Sequence, residues 1–195
     1  MKKIGLTGNI GSGKSTVSKI FMILGIPFYN ADEEAKKILN KPEIIKKIIS
    51  FAGADIVTNT AMIDRKKLAA IVFENPEKLH QLNQLIHPAV LSDFNAWVNK
   101  MSGPYIIMES AILFESNFNT LFDKIITVSA NEETRINRVM NRDNVNREQV
   151  LIRMKHQIPE KEKIEKSDFI IVNNNEDLII PQVIEIHQKL SAQID

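Results

Sequence analysis

The sequence predicts an α/β fold: an open, doubly wound, five-stranded and mostly parallel sheet with helices on both faces. Five short apolar runs have the length and composition of buried parallel strands, at Lys2–Thr7, 26–30, Tyr105–Glu109, Lys124–Ser129 and 169–173. Longer segments with helical spacing separate them, and a glycine-rich turn joins the first run to the first helix. Sheets of this kind bind ligands outside the carboxyl ends of their strands, so the functional site is expected at that edge.

In chain order, the first strand leads through the glycine-rich turn into a helix at 15–24, which Gly25 and Pro27 stop before the second strand. Two or more helices are expected within 33–51 and 65–100. Leu79, Leu82, Leu85 and Ile86 share one face there, and Pro76 suits a first helical turn. A crossover needs far less helix, so 33–100 reads as a helical insertion beside the site. The rest divides into a core (1–32, 101–130 and 166–195) and a helical lid (131–165).

With 195 residues and 44% hydrophobic content, the chain is long enough to bury a core and is expected to form one compact unit. A formal charge of +1 gives no global attraction to nucleic acid or membrane. The chain contains no cysteine, which excludes disulfides, thiolate metal sites and cysteine nucleophiles. Its start has neither the apolar run nor the cleavage site of a secretory signal, and no segment has the roughly 18 uninterrupted apolar residues of a membrane helix. The expectation is a cytoplasmic protein acting on small molecules, a monomer or weak homo-oligomer.

Gly8-Asn9-Ile10-Gly11-Ser12-Gly13-Lys14-Ser15 fits glycine, four residues, glycine, lysine, serine between a strand and a helix. The glycines let successive amides turn inward toward phosphate oxygens, and the following helix presents the positive end of its dipole. Lys14 is expected at the outer phosphates, Ser15 at magnesium and Thr16 near the inner phosphate. A ligand-free glycine turn is the alternative, and the full pattern in this context speaks against it. The loop specifies a ligand class rather than a reaction. A guanine-reading Asn-Lys-x-Asp does not follow the strand at Lys124–Ser129, where Ala130, Asn131 and Glu132 stand instead, which argues against a GTPase.

Asn30-Ala31-Asp32 closes the second strand at the same sheet edge, which makes Asp32 a candidate general base for an acceptor hydroxyl. Capping a helix that begins at Glu33 is the other use of an aspartate there. Glu109 closes the third strand in the position of a magnesium-serving carboxylate. Residues 135–155 carry six basic side chains against two acidic ones, leaving the remainder of the chain at −3. Arg135, Arg138 and Arg142 are spaced to share one helical face, with Ile136, Val139 and Met140 on another, and residues 144–149 are expected to form the tip. A charge run is ordinarily a solvated face; beside a phosphate loop, these arginines suit charge neutralisation during phosphoryl transfer, Arg142 foremost.

Read together, the loop, Leu24-Gly25-Ile26, Asn30-Ala31-Asp32, Ile112-Leu113-Phe114-Glu115, Gln157 and Ser167-Asp168 through Asn173 resemble the ordered motifs of dephospho-CoA kinases over nearly the whole chain. The resemblance implies a P-loop kinase fold with a helical substrate region and a lid. It implies an enzyme that transfers a phosphoryl group from ATP, with Mg2+, to the ribose 3′-hydroxyl of dephospho-CoA. It further implies Asp32 as the base, Arg138, Arg142 and Asn173 around ATP, Arg65 and His87 on the substrate side, and Glu115 as a second acid available to magnesium. Arg65 is otherwise a solvated charge at a helix start, and His87, before Pro88, is otherwise a brace at a helix junction. Asn30 stands where the family usually has a first aspartate, which removes a charge from that position. Asn175, in an expected glycine position, is a residue type that tolerates a left-handed turn. Another nucleotide or shikimate-type kinase, or a nucleotide switch without transfer chemistry, are the rival readings.

Overall fold

The computed structural model describes residues 1–192. Its five strands are β1 (Lys2–Thr7), β2 (Phe28–Asn30), β3 (Tyr105–Glu109), β4 (Lys124–Ser129) and β5 (Phe169–Val172), all paired in parallel in the order β2-β3-β1-β4-β5. The register aligns their carboxyl ends. Leu6 and Asn30 each pair with Glu109, Thr7 pairs with Thr127, and Ser129 pairs with Val172.

The helices are α1 (Lys14–Ile23), α2 (Ala31–Ile38), α3 (Pro42–Ala52), α4 (Arg65–Phe73), α5 (Pro76–Val98), α6 (Glu132–Asp143), α7 (Arg147–Met154), α8 (Glu160–Glu165) and α9 (Ile179–Ala192). The chain forms two compact units, Ala31–Lys100 and the remainder. None of the helices described is long and apolar enough to cross a membrane.

In the sheet unit, alternation along β1 decides the layers. Ile4 and Leu6 point into a core with Val17 and Phe21 of α1 and Val183, Ile186 and Leu190 of α9. Gly5 faces the opposite side, where an added methyl would meet Leu113 Cδ1 at 2.7 Å and Phe122 at 3.1 Å. The segment after β3 thus lies against β1, while α8 packs on β4. Helix α1 ends as its sequence dictates: Gly25 adopts φ 79°, the Ile26 amide donates to Phe21 O at 3.1 Å, and the Gly25 amide donates to Met22 O at 3.0 Å.

The unit at Ala31–Lys100 is built from α2 to α5 around buried residues that include Ile38, Ile48, Leu68, Val72, Val90 and Phe94. Asp64 caps α4 by accepting from the amides of Lys66 and Lys67, and Asn75 caps α5 ahead of Pro76. His87-Pro88 does not mark a helix junction. Both residues lie inside the continuous 23-residue α5, which accommodates Pro88.

Gly25 has open space around it but a left-handed φ. Gly25→Ala is expected to destabilise the protein by about 1 kcal/mol through backbone strain alone, leaving nucleotide affinity unchanged. Urea denaturation and nucleotide titration of the two proteins check this.

Candidate active site

Gly8 to Gly13 turn from β1 into α1 with φ values of 150° at Gly8, 81° at Gly11 and 91° at Gly13. The backbone is packed as closely as the conformation is unusual. An added methyl would lie 2.4 Å from Val128 O at Gly8, 2.4 Å from Arg135 O at Gly11 and 2.1 Å from Asn173 Nδ2 at Gly13. Only glycine fits this path. Lys14 Nζ curls back to donate to Gly8 O at 2.7 Å, while Ser15 and Thr16 are exposed in the first turn of α1. Ser12 Oγ and Asn9 Oδ1 are buried with no hydrogen-bond partner, which suits a polar ligand or water seated at the loop.

The loop is braced from three sides. Asn173 donates from Nδ2 to Ser12 O at 2.7 Å, its own amide donates to Ser129 O at 2.8 Å, and its carbonyl accepts from Arg138 Nη1 at 2.9 Å. Gln157 accepts from the Ile10 amide at 2.8 Å, and Asn9 Nδ2 donates to Ile158 O at 3.2 Å. Ile10 packs against a small core of Ile136, Val139 and Val150 from α6 and α7.

Among the carboxylates, Glu109 is buried and accepts a 2.8 Å hydrogen bond from Ser18 Oγ, one helical turn after Ser15. The first turn of α1 and the end of β3 are thereby held together. Glu115 uses one oxygen for packing: its Oε1 accepts from the Ile158 amide at 3.0 Å and lies 3.0 Å from the fully buried Lys163 Nζ, while its Oε2 is buried with no hydrogen-bond partner. Asp32 is the second residue of α2, which starts at Ala31, so it occupies the first turn instead of an N-cap at Glu33. Exposed Arg65 opens α4, and its charge is among those that lower the Glu33 carboxyl below its ordinary value, after the hydrogen bond from Lys36. His87 is half-buried, and desolvation holds its imidazole below the usual range, favouring the neutral ring.

The arginine stripe divides into three environments. Arg135 is buried, donating from Nε to Ala130 O at 2.9 Å with Glu160 at 3.6 Å, so it belongs to the packing of α6 and not to an exposed cationic face. It shares the buried side of α6 with Ile136 and Val139. Arg138 binds Asn173 O, with Asn175 Oδ1 at 3.3 Å from Nη2. Asn175 does not take the left-handed conformation; its side chain accepts from Arg138 instead. The exposed Arg142 is paired with Asp143 through Nε at 2.8 Å and Nη2 at 3.2 Å. The turn that follows comprises Asn144 to Asn146, shorter than expected, since Gln149 lies inside α7 and completes its capping box with Asn146.

A family model described as dephospho-CoA kinase matches residues 2–178. The chain belongs to the dephospho-CoA kinase family. A dephospho-CoA kinase of Fusobacterium nucleatum is 44% identical over 172 residues, covering 88% of this chain and 89% of that one. A solved Thermus thermophilus protein superposes with a TM-score of 0.85 at 31% identity, covering 100% of this chain and 98% of that one. A Campylobacter jejuni dephospho-CoA kinase superposes with a TM-score of 0.70 at 29% identity over 97% of each chain. The fold of this family member is that of a P-loop kinase.

The family's motifs single out the loop, Glu115, Gln157 and Asn173, and the end of the third strand singles out Glu109, but neither points to the partners Ser18 and Lys163. Ser18 was detectable as the residue one turn beyond Ser15 on α1. Lys163 lies in the run Glu160-Lys161-Glu162-Lys163, whose composition signals a solvated helix and gives no sign that one lysine is buried.

Asp143 also accepts from Arg153 Nη1 at 2.6 Å, tying α6 to α7. The hydrogen bond from Arg142, with that from Arg153, holds its carboxyl below the ordinary carboxylate value. A depressed folded-state pKa means that this stabilisation is full above the unfolded value of about 4 and fades as pH falls below it. Because the pairs are partly solvated, Asp143→Asn is expected to cost no more than about 1 kcal/mol at neutral pH. The difference in Tm between the two proteins should shrink toward zero between about pH 4 and pH 2. Thermal melts across that range test the sign.

Proposed function

We propose that Asp32 accepts the proton of the ribose 3′-hydroxyl of dephospho-CoA while Lys14 and Arg142 neutralise charge on the phosphoryl group arriving from ATP. Family membership carries the activity itself: ATP-dependent phosphorylation of dephospho-CoA to coenzyme A and ADP, the last step of coenzyme A synthesis. The observation that most supports seating the ATP phosphates at Gly8 to Gly13 is the close-packed geometry of that loop, whose three glycines exclude any larger residue.

Balanced as atoms, the transfer forms a bond from the acceptor oxygen to phosphorus and breaks the bond from phosphorus to the bridging oxygen of ADP. The acceptor proton passes to the Asp32 carboxylate. Phosphoryl transfer asks little covalent chemistry of the protein, so positioning and charge stabilisation carry the rate. Lys14 folds over the loop already, and its contact with Gly8 O is exchangeable for a phosphate oxygen. Arg142 acts at the phosphates after exchanging its Asp143 partner, a swap between two anionic acceptors at an exposed site.

Magnesium, when bound, screens the charge of the nucleotide phosphates. The Ser15 hydroxyl would hold it, with Glu109, joined to α1 through Ser18, as the associated acid. The link from Ser18 to Glu109 ties this acid to the helix that carries Ser15 and favours it over Glu115, whose Oε1 is held by Lys163 and Ile158. Asn30 pairs directly with Glu109 in the sheet, so its uncharged amide avoids placing a second carboxylate beside a buried one. Gly8, Gly11, Ser12, Gly13 and Thr16 line the phosphates, with Arg138 and Asn173 supporting the nucleotide from β5. Arg65 and the neutral His87 contact dephospho-CoA. The enzyme acts in the cytoplasm.

With ATP and magnesium, the purified protein is expected to convert dephospho-CoA to coenzyme A. Turnover of a nucleoside or shikimate-type acceptor without coenzyme A formation would overturn the substrate assignment. Asp32→Asn should lower kcat by about 100-fold or more while changing ATP affinity less than about threefold. Equal loss of both would instead assign Asp32 to the stability of α2.

A further inference from the structure

We infer that Gln157 is a positioning residue for the nucleotide site, acting through the Ile10 backbone, and that a buried ion pair behind it sets its orientation. This rests on the reading of Gly8 to Thr16 as the ATP site, not on the identity of the acceptor.

Gln157 lies between α7 and α8 and uses both ends of its amide. Oε1 accepts from the Ile10 amide at 2.8 Å, and Nε2 donates to Ala111 O at 3.0 Å. A single rigid amide plane therefore sets the spacing between the phosphate loop and the segment that follows Glu109. Ala111 O also accepts from Lys163 Nζ at 2.8 Å. That ammonium is fully buried and lies 3.0 Å from Glu115 Oε1, the same oxygen that accepts from the Ile158 amide. The circuit closes because Ile158 is the neighbour of Gln157 in the chain.

Each part has a reason to be where it is. Ala111 O receives two donors, and the Glu115 carboxylate faces the buried charge of Lys163 while holding the backbone next to Gln157. Such a network has few alternative arrangements, because displacing one member leaves a buried polar group or charge unpaired. It thus dictates which way the Gln157 amide faces, with the acceptor end toward Ile10.

Two separate links then fix the loop against β3. Ser18 to Glu109 fixes the helix side, and Gln157 to Ala111, two residues beyond Glu109, fixes the loop side. Asn9 to Ile158 adds a third contact from the same segment. Removing Gln157 leaves the loop its glycines and its lysine but lets the turn at Ile10 shift. The ligand that senses this is a nucleoside triphosphate, whose phosphates depend on the register of the loop amides.

The test is equilibrium binding of ATP with magnesium to the full-length protein by calorimetric titration, alongside KM for each substrate. Gln157→Ala is expected to weaken ATP binding and raise KM for ATP by about tenfold, while KM for dephospho-CoA stays within about twofold. Gln157→Glu keeps the acceptor for Ile10 and loses the donor to Ala111, so it should recover part of the affinity. Lys163→Met combined with Gln157→Ala should weaken ATP binding less than the product of the single effects, since both disturb one network. ATP affinity within twofold of wild type in Gln157→Ala would overturn the inference, as would equal rises in both KM values. If Lys163→Met does not fold, the two Gln157 variants decide alone. Failure of the acceptor assignment would show as absent coenzyme A formation by the wild-type protein, which leaves the binding comparison readable.

Discussion

Gly8, Gly11 and Gly13 carry the chain between β1 and α1 through positive φ values, on a path that runs close against Val128, Arg135 and Asn173. A loop of this kind has to be held by its surroundings. Asn173 grips Ser12 O from β5, Gln157 grips the Ile10 amide from the segment after α7, and Arg135 O crowds Gly11 from α6. The aligned carboxyl ends of β1, β3 and β4 fix the point from which the loop departs. Preorganisation of this sort favours catalysis by phosphoryl transfer, where the protein contributes mainly orientation and fixed charge.

The same surroundings explain why charged residues occur inside this unit. Arg135 and Lys163 are almost or wholly buried, which is costly for a cation unless it is well partnered. Lys163 has Ala111 O and Glu115; Arg135 has Ala130 O and, at 3.6 Å, Glu160, with its Nη1 buried and unpartnered. Both lie in the segment from α6 to α8 that flanks the loop. Their role is to fix backbone carbonyls and acids in place, leaving Arg138 and Arg142 as the more accessible cations. Arg142 is paired with its neighbour Asp143, whereas Arg138 is already tied to Asn173.

Much of the fold was legible because local chemistry and tertiary structure agree. The runs at Lys2–Thr7, Tyr105–Glu109 and Lys124–Ser129 are strands buried on both faces, and such strands declare themselves by continuous apolar composition. The phosphate loop was legible because few other structures need glycine, lysine and serine in that order between a strand and a helix. Less legible was direction. The spacing of Arg135, Arg138 and Arg142 is helical, but spacing cannot tell which edge of the stripe turns toward the core, and Arg135 lies at that edge. The proline after His87 favours a helix junction there, since proline usually ends helices, yet α5 continues through it. The Gln157 circuit was hidden for a different reason: Ile10, Ala111, Glu115, Gln157 and Lys163 meet only through long-range packing, which no local pattern encodes.

If the loop is held by its surroundings before nucleotide arrives, the Ile10 amide is the most direct reporter. Native-state hydrogen exchange of the nucleotide-free protein should show this amide protected to a degree comparable with the amides of β1, because its hydrogen bond to Gln157 opens only when the surrounding network opens. Exchange of Ile10 at the rate of an unrestrained surface loop, with protection appearing only after ATP is added, would contradict a prebuilt site and show that the nucleotide itself organises the loop.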